Sequence, residues 1–190
     1  MTEEETSRQL RARFEALVHT TAEPLRRFLL RRIDADSAED VLGDTLLVLW
    51  RRIDEVPAPT SAGTYDPDDV LPWCYGVARG CLANTRRALS RRARLAERLA
   101  WTEQRAPAAS TDHSDLYRAL KTLRALDREV VLLWAWEELA PRQIARVTGL
   151  SPNAVSIRLH RAKKKLATQL ERKSARVDGH ETGEERRSIR

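Results

Sequence analysis

The side chains able to do chemistry gather between Pro141 and Lys165, and their types suit recognition rather than bond breaking. Asn153, Ser156, Arg158, Arg161 and Lys164 supply amide, hydroxyl and cationic donors at helical spacing, with Arg142 just ahead of them. Asn and Arg make paired hydrogen bonds to adenine and guanine edges, and an aliphatic residue such as Ile157 can meet a thymine methyl. The run Lys163-Lys164-Lys165 suits phosphate oxygens, which position a protein on a duplex without reading sequence. No catalytic set is expected. His160 has no second metal ligand near it. Cys74 and Cys81 lack the C-x-x-C spacing of a zinc or redox site. Seven residues apart on a helix, they are about 10 Å apart along its axis, too far for a mutual disulfide, and read as buried thiols. Neither a metal nor a cofactor is expected.

The elements around these residues set their orientation. Pro141 to Thr148 reads as a short helix ended by Gly149, a residue that tolerates the left-handed conformation a helix terminus needs. Ser151 then caps a second helix, with Pro152 at its first position. A short helix, a glycine-containing turn and a capped second helix make a helix-turn-helix. At about 100° per residue, Val155, Leu159, Ala162 and Leu166 share one arc and face a core. Asn153, Ile157, Arg161 and Lys164 lie opposite, with Ser156 and His160 on one flank and Arg158 on the other. Upstream, one long amphipathic helix is expected from Asp115, placing Leu116, Leu120, Leu123, Leu126, Val130, Leu133 and Trp134 on one face, with a break at Glu138-Leu139-Ala140.

Charge is unevenly distributed over the 190 residues, whose net value is +6. Residues 1–69 hold 9 basic and 15 acidic side chains, whereas 70–114 hold 8 and 3, and 115–173 hold 13 and 6. An acidic first third followed by a basic remainder predicts two surfaces, one for a protein and one for a polyanion. Helix formers dominate and glycines are few, so the expected fold is all-α, in two small helical domains joined by a flexible linker. No apolar run approaches the roughly 18 residues of a membrane span, and no signal peptide is evident, so a cytoplasmic protein without a membrane partner is expected.

Apolar residues at helical spacing run from Leu10 to Ile33, with Pro24 either kinking that helix or opening a second. Asp36 or Ser37 is placed to cap the next helix, about 38–53. Its expected core stripe is Leu42, Leu46, Leu49 and Ile53, leaving Asp40, Asp44, Leu47 and Arg51 outward with Val48 and Trp50 on the flanks. An apolar Leu47 on an acidic face is a candidate protein-docking surface. Residues 54–71 are rich in proline and polar residues and read as a functional loop. Helix resumes near Pro72 and becomes strongly basic through Arg86, Arg87, Arg91, Arg92, Arg94 and Arg98, a phosphate-seeking surface. Residues 103–114 have linker composition.

Taken in order, these stretches resemble the extracytoplasmic-function (ECF) sigma factors of bacterial RNA polymerase, in the sigma-70 family. The resemblance covers about residues 10–172. Residues 38–51, AEDVLGDTLLVLWR, resemble the helix that binds core polymerase. Residues 73–79, WCYGVAR, through Arg86-Arg87 resemble the helix that helps recognise and melt the −10 element. Leu126-Asp127-Arg128-Glu129-Val130, Gln143-Ile144-Ala145 and 155–162, VSIRLHRA, resemble the −35-binding domain. The chain departs from the usual pattern at Gly43 and Asp44 (Gln and Glu), Gly80 and Asn84 (Asn and Asp), Gln143 (Glu), Ala154 (Thr) and Ser156 (a basic residue).

The resemblance implies a transcription initiation factor with a region 2-like domain at 10–96, a linker at 97–114 and a region 4-like domain at 115–173, between disordered ends at 1–9 and 174–190. It implies docking on core RNA polymerase by Asp40, Asp44, Leu47, Val48 and Arg51. Tyr65, Trp73, Arg79, Asn84, Arg86 and Arg87 would serve −10 recognition and melting, with loop 54–71 beside a flipped base. Arg142, Asn153, Ser156, Ile157, Arg158, Arg161 and Lys164 would contact the −35 duplex. An anti-sigma factor is the further partner implied, and the free chain is expected to be a monomer. The alternative is a stand-alone helix-turn-helix regulator whose N-terminal domain binds a ligand or dimerises.

Overall fold

The computed structural model describes residues 3–99 and 114–184. Seven α-helices account for most of them, and no strand occurs among the described residues, in agreement with the all-α expectation. Two compact units result, the first formed by α1–α3 with the stretch 146–149, the second by the rest of the described chain.

In the first unit, α1 (Glu3–Leu30), α2 (Ala35–Arg51) and α3 (Pro67–Leu99) pack against one another pairwise. Helix α1 is continuous through Pro24. Proline removes one helical hydrogen bond, yet Leu17, Leu25, Phe28 and Leu29 on either side are fully buried and hold the helix together. The Phe28 ring meets Tyr75 of α3 at 5.0 Å between centroids, and Arg32 covers Phe28 at 3.7 Å.

Helix α2 starts earlier than expected. Its cap is Asp34 rather than Asp36 or Ser37: the carboxylate accepts from the Ser37 backbone N–H at 3.0 Å, which holds the Asp34 carboxyl below its ordinary pKa. The buried stripe is also rotated from the expected one. It comprises Ala38, Val41, Thr45 and Leu49, while Leu42 and Leu46 are half-buried. Thr45 can sit in the core because its hydroxyl donates to the Val41 carbonyl at 2.7 Å. A 3-10 turn, Ile53–Glu55, follows.

The loop after it is shorter than expected, because α3 begins at Pro67 instead of Pro72. Pro67 takes the first helical position, Asp66 accepts from the Asp68 backbone N–H at 3.0 Å, and Asp68 and Asp69 occupy the electropositive first turn. Pro72 is then an interior residue of the helix, and it is buried.

In the second unit the expected long helix is two: α4 (Ser114–Lys121) and α5 (Ala125–Ala135). The break falls at Thr122, whose hydroxyl and backbone N–H both donate to the Ala119 carbonyl, at 2.7 and 3.1 Å. Such back-bonding competes with continued helix, and Lys165 secures the bend by donating to the Thr122 carbonyl at 2.7 Å. Residues 141–145 of α6 (Pro141–Thr148) and the whole of α7 (Pro152–Glu184) complete the unit, with α7 packed on both α4 and α5. Its core holds Leu120, Leu123, Val130, Leu133, Ile144, Val155, Leu159, Ala162 and Leu166. Leu116 and Trp134, expected in that core, are 42% and 41% exposed.

Two expected disordered segments meet helix. Helix α1 begins at Glu3 and α7 continues to Glu184. Neither end holds a proline, and adding residues to a formed helix costs little. Most of the expected linker, residues 100–113, lies outside the described residues, as do the last six of the tail.

Candidate nucleic-acid interface

The turn between α6 and α7 is built by three local devices. The Gln143 side chain reaches back to accept from the Ala140 backbone N–H at 2.8 Å, half of a capping box at the start of α6. Gly149 adopts φ +74°, the left-handed conformation that glycine accepts at least cost. Ser151 Oγ then accepts from the Ala154 backbone N–H at 3.2 Å and caps α7.

On α7 the buried arc is Val155, Leu159, Ala162 and Leu166, as the spacing predicts. Asn153, Ser156, Ile157, His160, Arg161 and Lys164 are exposed, and so is Arg142 on α6. Ser156 donates to the Pro152 carbonyl at 3.0 Å and keeps its acceptor lone pairs free. Arg158 differs from its expected role: it is half-buried and donates to Asp127 of α5 at 2.7 Å. A guanidinium engaged inside its own unit is a poor reader of bases, so Arg158 leaves the candidate base-contact set. Sequence inspection missed this pair because its partners stand 31 residues apart.

The α2 face is as open as its spacing suggests. Asp40, Asp44 and Arg51 are exposed, Val48 is half-buried, and Leu47 is 47% exposed. Trp50, three residues beyond Leu47, is also exposed and meets Phe14 edge-on at 5.1 Å. The expected set omitted it, although the i, i+3 spacing already placed it beside Leu47.

The −10 candidates are not brought together as one surface. Helical geometry puts Trp73, Asn84 and Arg87 on one arc of α3, with Arg79 and Arg86 roughly 130° away. Trp73 and Arg79 are half-buried, and the Arg52 guanidinium lies 5.2 Å over the Trp73 ring. Arg87 donates to Asn84 Oδ1 at 2.6 Å and Arg86 to the Arg32 carbonyl at 2.6 Å. Tyr65 is corrected outright. It is 5% exposed and its hydroxyl accepts from Arg13 Nε at 3.1 Å, so it has no free face on which a base can stack. The same Arg13 donates to the Val56 carbonyl at 3.2 Å and faces Asp54 at 3.6 Å, pinning both ends of the loop to α1.

Both thiols are free: Cys74 is buried, which pushes its pKa up to about 12, and Cys81 is half-buried and also raised, chiefly by burial. Among the described residues no group of three His, Cys, Asp or Glu side chains could hold a metal, and no helix is long and apolar enough to cross a membrane.

A capped helix-turn-helix with an exposed basic and amide face defines an all-α DNA-binding class of protein. Residues 113–166 match the family described as sigma-70, region 4. The chain is 32% identical to the RNA polymerase sigma-E factor of Streptomyces avermitilis over 167 residues, covering 83% of this chain and 85% of that one. It is 32% identical to RNA polymerase sigma factor CarQ of Myxococcus xanthus over 163 residues, 80% and 86% of the two chains. The fold is shared with the sigma factor RpoE of Bartonella quintana, solved in complex with the anti-sigma factor NepR, at a TM-score of 0.59 and 21% identity over 83% and 96% of the two chains. The chain therefore belongs to the sigma-70 family of RNA polymerase sigma factors, in its ECF branch, and is a transcription initiation factor. The regulator alternative is not favoured, since the similarity extends well beyond the helix-turn-helix.

Proposed function

We propose that this chain docks core RNA polymerase through the outward face of α2 and directs it to promoters by two DNA contacts, one from each unit. The α2 contact is carried by Asp40, Asp44, Leu47 and Arg51, with Trp50 extending the apolar patch. In the second unit Asn153, Ser156, Ile157 and Arg161 read base edges of the −35 element, while Lys164 and Arg142 hold phosphates. In the first unit α3 serves −10 recognition and melting from two arcs, with Trp73, Asn84 and Arg87 on one and Arg79 and Arg86 on the other. Tyr65 is not part of this set. An anti-sigma protein that covers the polymerase-binding face is the second partner.

The observation that carries this reading is the separation of faces on α7. Its apolar arc is buried while its amide, hydroxyl and cationic arc is exposed on a helix capped by Ser151. Promoter-dependent transcription with purified core polymerase tests it. Specific run-off products are expected only when the chain is added, and a band-shift without polymerase should show no tight specific complex. Tight specific binding by the free chain, or no specific transcript from the combined proteins, would overturn the reading.

A further inference from the structure

Asp127 stands in the first turn of α5, where the helix dipole favours a carboxylate, and accepts from Arg158 Nη1 at 2.7 Å. The two side chains are 23% and 37% exposed, so the pair is neither fully solvated nor sealed in the core. Arg158 lies about 140° around α7 from Asn153, at the border between the exposed arc and the buried one. From there it reaches α5 without occupying the face that carries Asn153, Ile157 and Arg161.

We propose that Asp127 is a positioning residue for promoter selection: by holding Arg158 it fixes the rotation of α7 about its own axis and so aims the base-contacting side chains. The inference rests on the reading of α7 as the promoter-reading helix. The buried side chains of α5 and α7 are apolar; their packing resists separation and large rotations, while the non-directional hydrophobic effect leaves small rotations less firmly fixed. A charge-assisted hydrogen bond has a preferred distance and angle, and this one adds direction beside the base-contacting turns, whereas the Lys165 bond to the Thr122 carbonyl lies two turns further along α7. A turn of ~20° about the α7 axis carries a side-chain atom ~5 Å from that axis through about 2 Å. The useful range of N–H···O distances spans only about 0.5 Å. Small rotations therefore spoil several base contacts together, while phosphate contacts by long side chains such as Lys164 survive them. Arg158 is on this account a strut, and its partner governs specificity from a place that touches no DNA.

The test uses the full chain with core RNA polymerase on a pool of promoters randomised across the −35 element, with transcripts sequenced. The native chain should select a preferred sequence. Asp127→Asn and Arg158→Gln should each flatten that preference over several adjacent positions, lowering the ratio of preferred to single-mismatch promoters by about tenfold. Asp127→Glu should retain the native preference, and the exchange Asp127→Arg with Arg158→Asp should restore it. A loss confined to one base position in Arg158→Gln, with Asp127→Asn unchanged, would make Arg158 a direct reader and overturn the proposal. Uniformly lower transcription with an unchanged preference would overturn it too, leaving only a stabilising pair. If the native chain selects no sequence, promoter reading by α7 itself fails, an outcome distinct from failure of the variants.

Discussion

The ammonium of Lys163 stands 3.2 Å from the centre of the Trp134 ring, a cation–π contact between α7 and α5. Lys165 is likewise turned toward its own unit, on the Thr122 carbonyl. Of three consecutive lysines, only Lys164 adds its charge to the arc that holds Arg161. Lys164→Gln should therefore reduce the salt slope of promoter binding by the polymerase complex by about one. Lys163→Gln should leave that slope unchanged and cost about 0.5–1 kcal/mol of stability. Fluorescence anisotropy of a labelled promoter against salt measures the first, and urea unfolding the second. Equal slope losses for both variants would return Lys163 to the DNA surface.

Leu47 is nearly half exposed on a helix whose packing relies on Ala38, Val41, Thr45 and Leu49. Leu47→Glu should change the stability of the free chain by less than about 0.5 kcal/mol, as surface substitutions do. It should weaken binding to core polymerase at least about tenfold, because a carboxylate would be desolvated among apolar contacts. Titration of labelled chain with core polymerase measures this, and an unchanged affinity would remove Leu47 from the interface.

Tyr65 was expected at the melting surface and lies instead in the core of the first unit. Tyr65→Phe should cost about 1 kcal/mol, the loss of the hydrogen bond from Arg13. Tyr65→Ala should cost about 3–5 kcal/mol by leaving a cavity. If Tyr65→Ala proves nearly neutral in urea unfolding but abolishes promoter opening, the ring swings out to meet DNA.

What sequence revealed and what it concealed divide along a physical line. The helix-turn-helix is local: Gly149, Ser151 and Pro152 act within a few residues of one another, and the period of Val155, Leu159, Ala162 and Leu166 fixes which side is buried. The outward positions of Asp40, Asp44 and Leu47 follow from period in the same way. The errors arise where a polar side chain finds a partner that period cannot show. Thr45 satisfies its hydroxyl on its own helix and so replaces Leu42 and Leu46 at the centre of the core stripe. Thr122 bends a helix whose apolar pattern continues unbroken, with Lys165 from 43 residues away holding the bend. Arg13 and Tyr65, 52 residues apart, and Asp127 and Arg158, 31 apart, become neighbours only through tertiary packing. Those pairings removed Tyr65 and Arg158 from their expected roles.

Cys74 offers a test of the first unit's integrity that needs no DNA or polymerase. The thiol is fully buried, and burial alone raises its pKa to about 12 from a value near 9. A raised folded-state pKa means that the unfolded chain loses this proton first as pH rises. Between about pH 9 and 12 the unfolded state thus binds fewer protons than the folded one, and stability falls with pH. Below about pH 9 both states hold the proton and the contribution is complete. Cys74 should add about 1 kcal/mol per pH unit to the decline across that window. Urea unfolding of the native chain and of Cys74→Ala at several pH values isolates the effect, because every other titrating group is common to both. The variant should be less stable near neutral pH and should lose less stability per unit above pH 9. Parallel declines for the two proteins would show that the thiol is hydrated, and that the packing of α3 against its neighbours admits water.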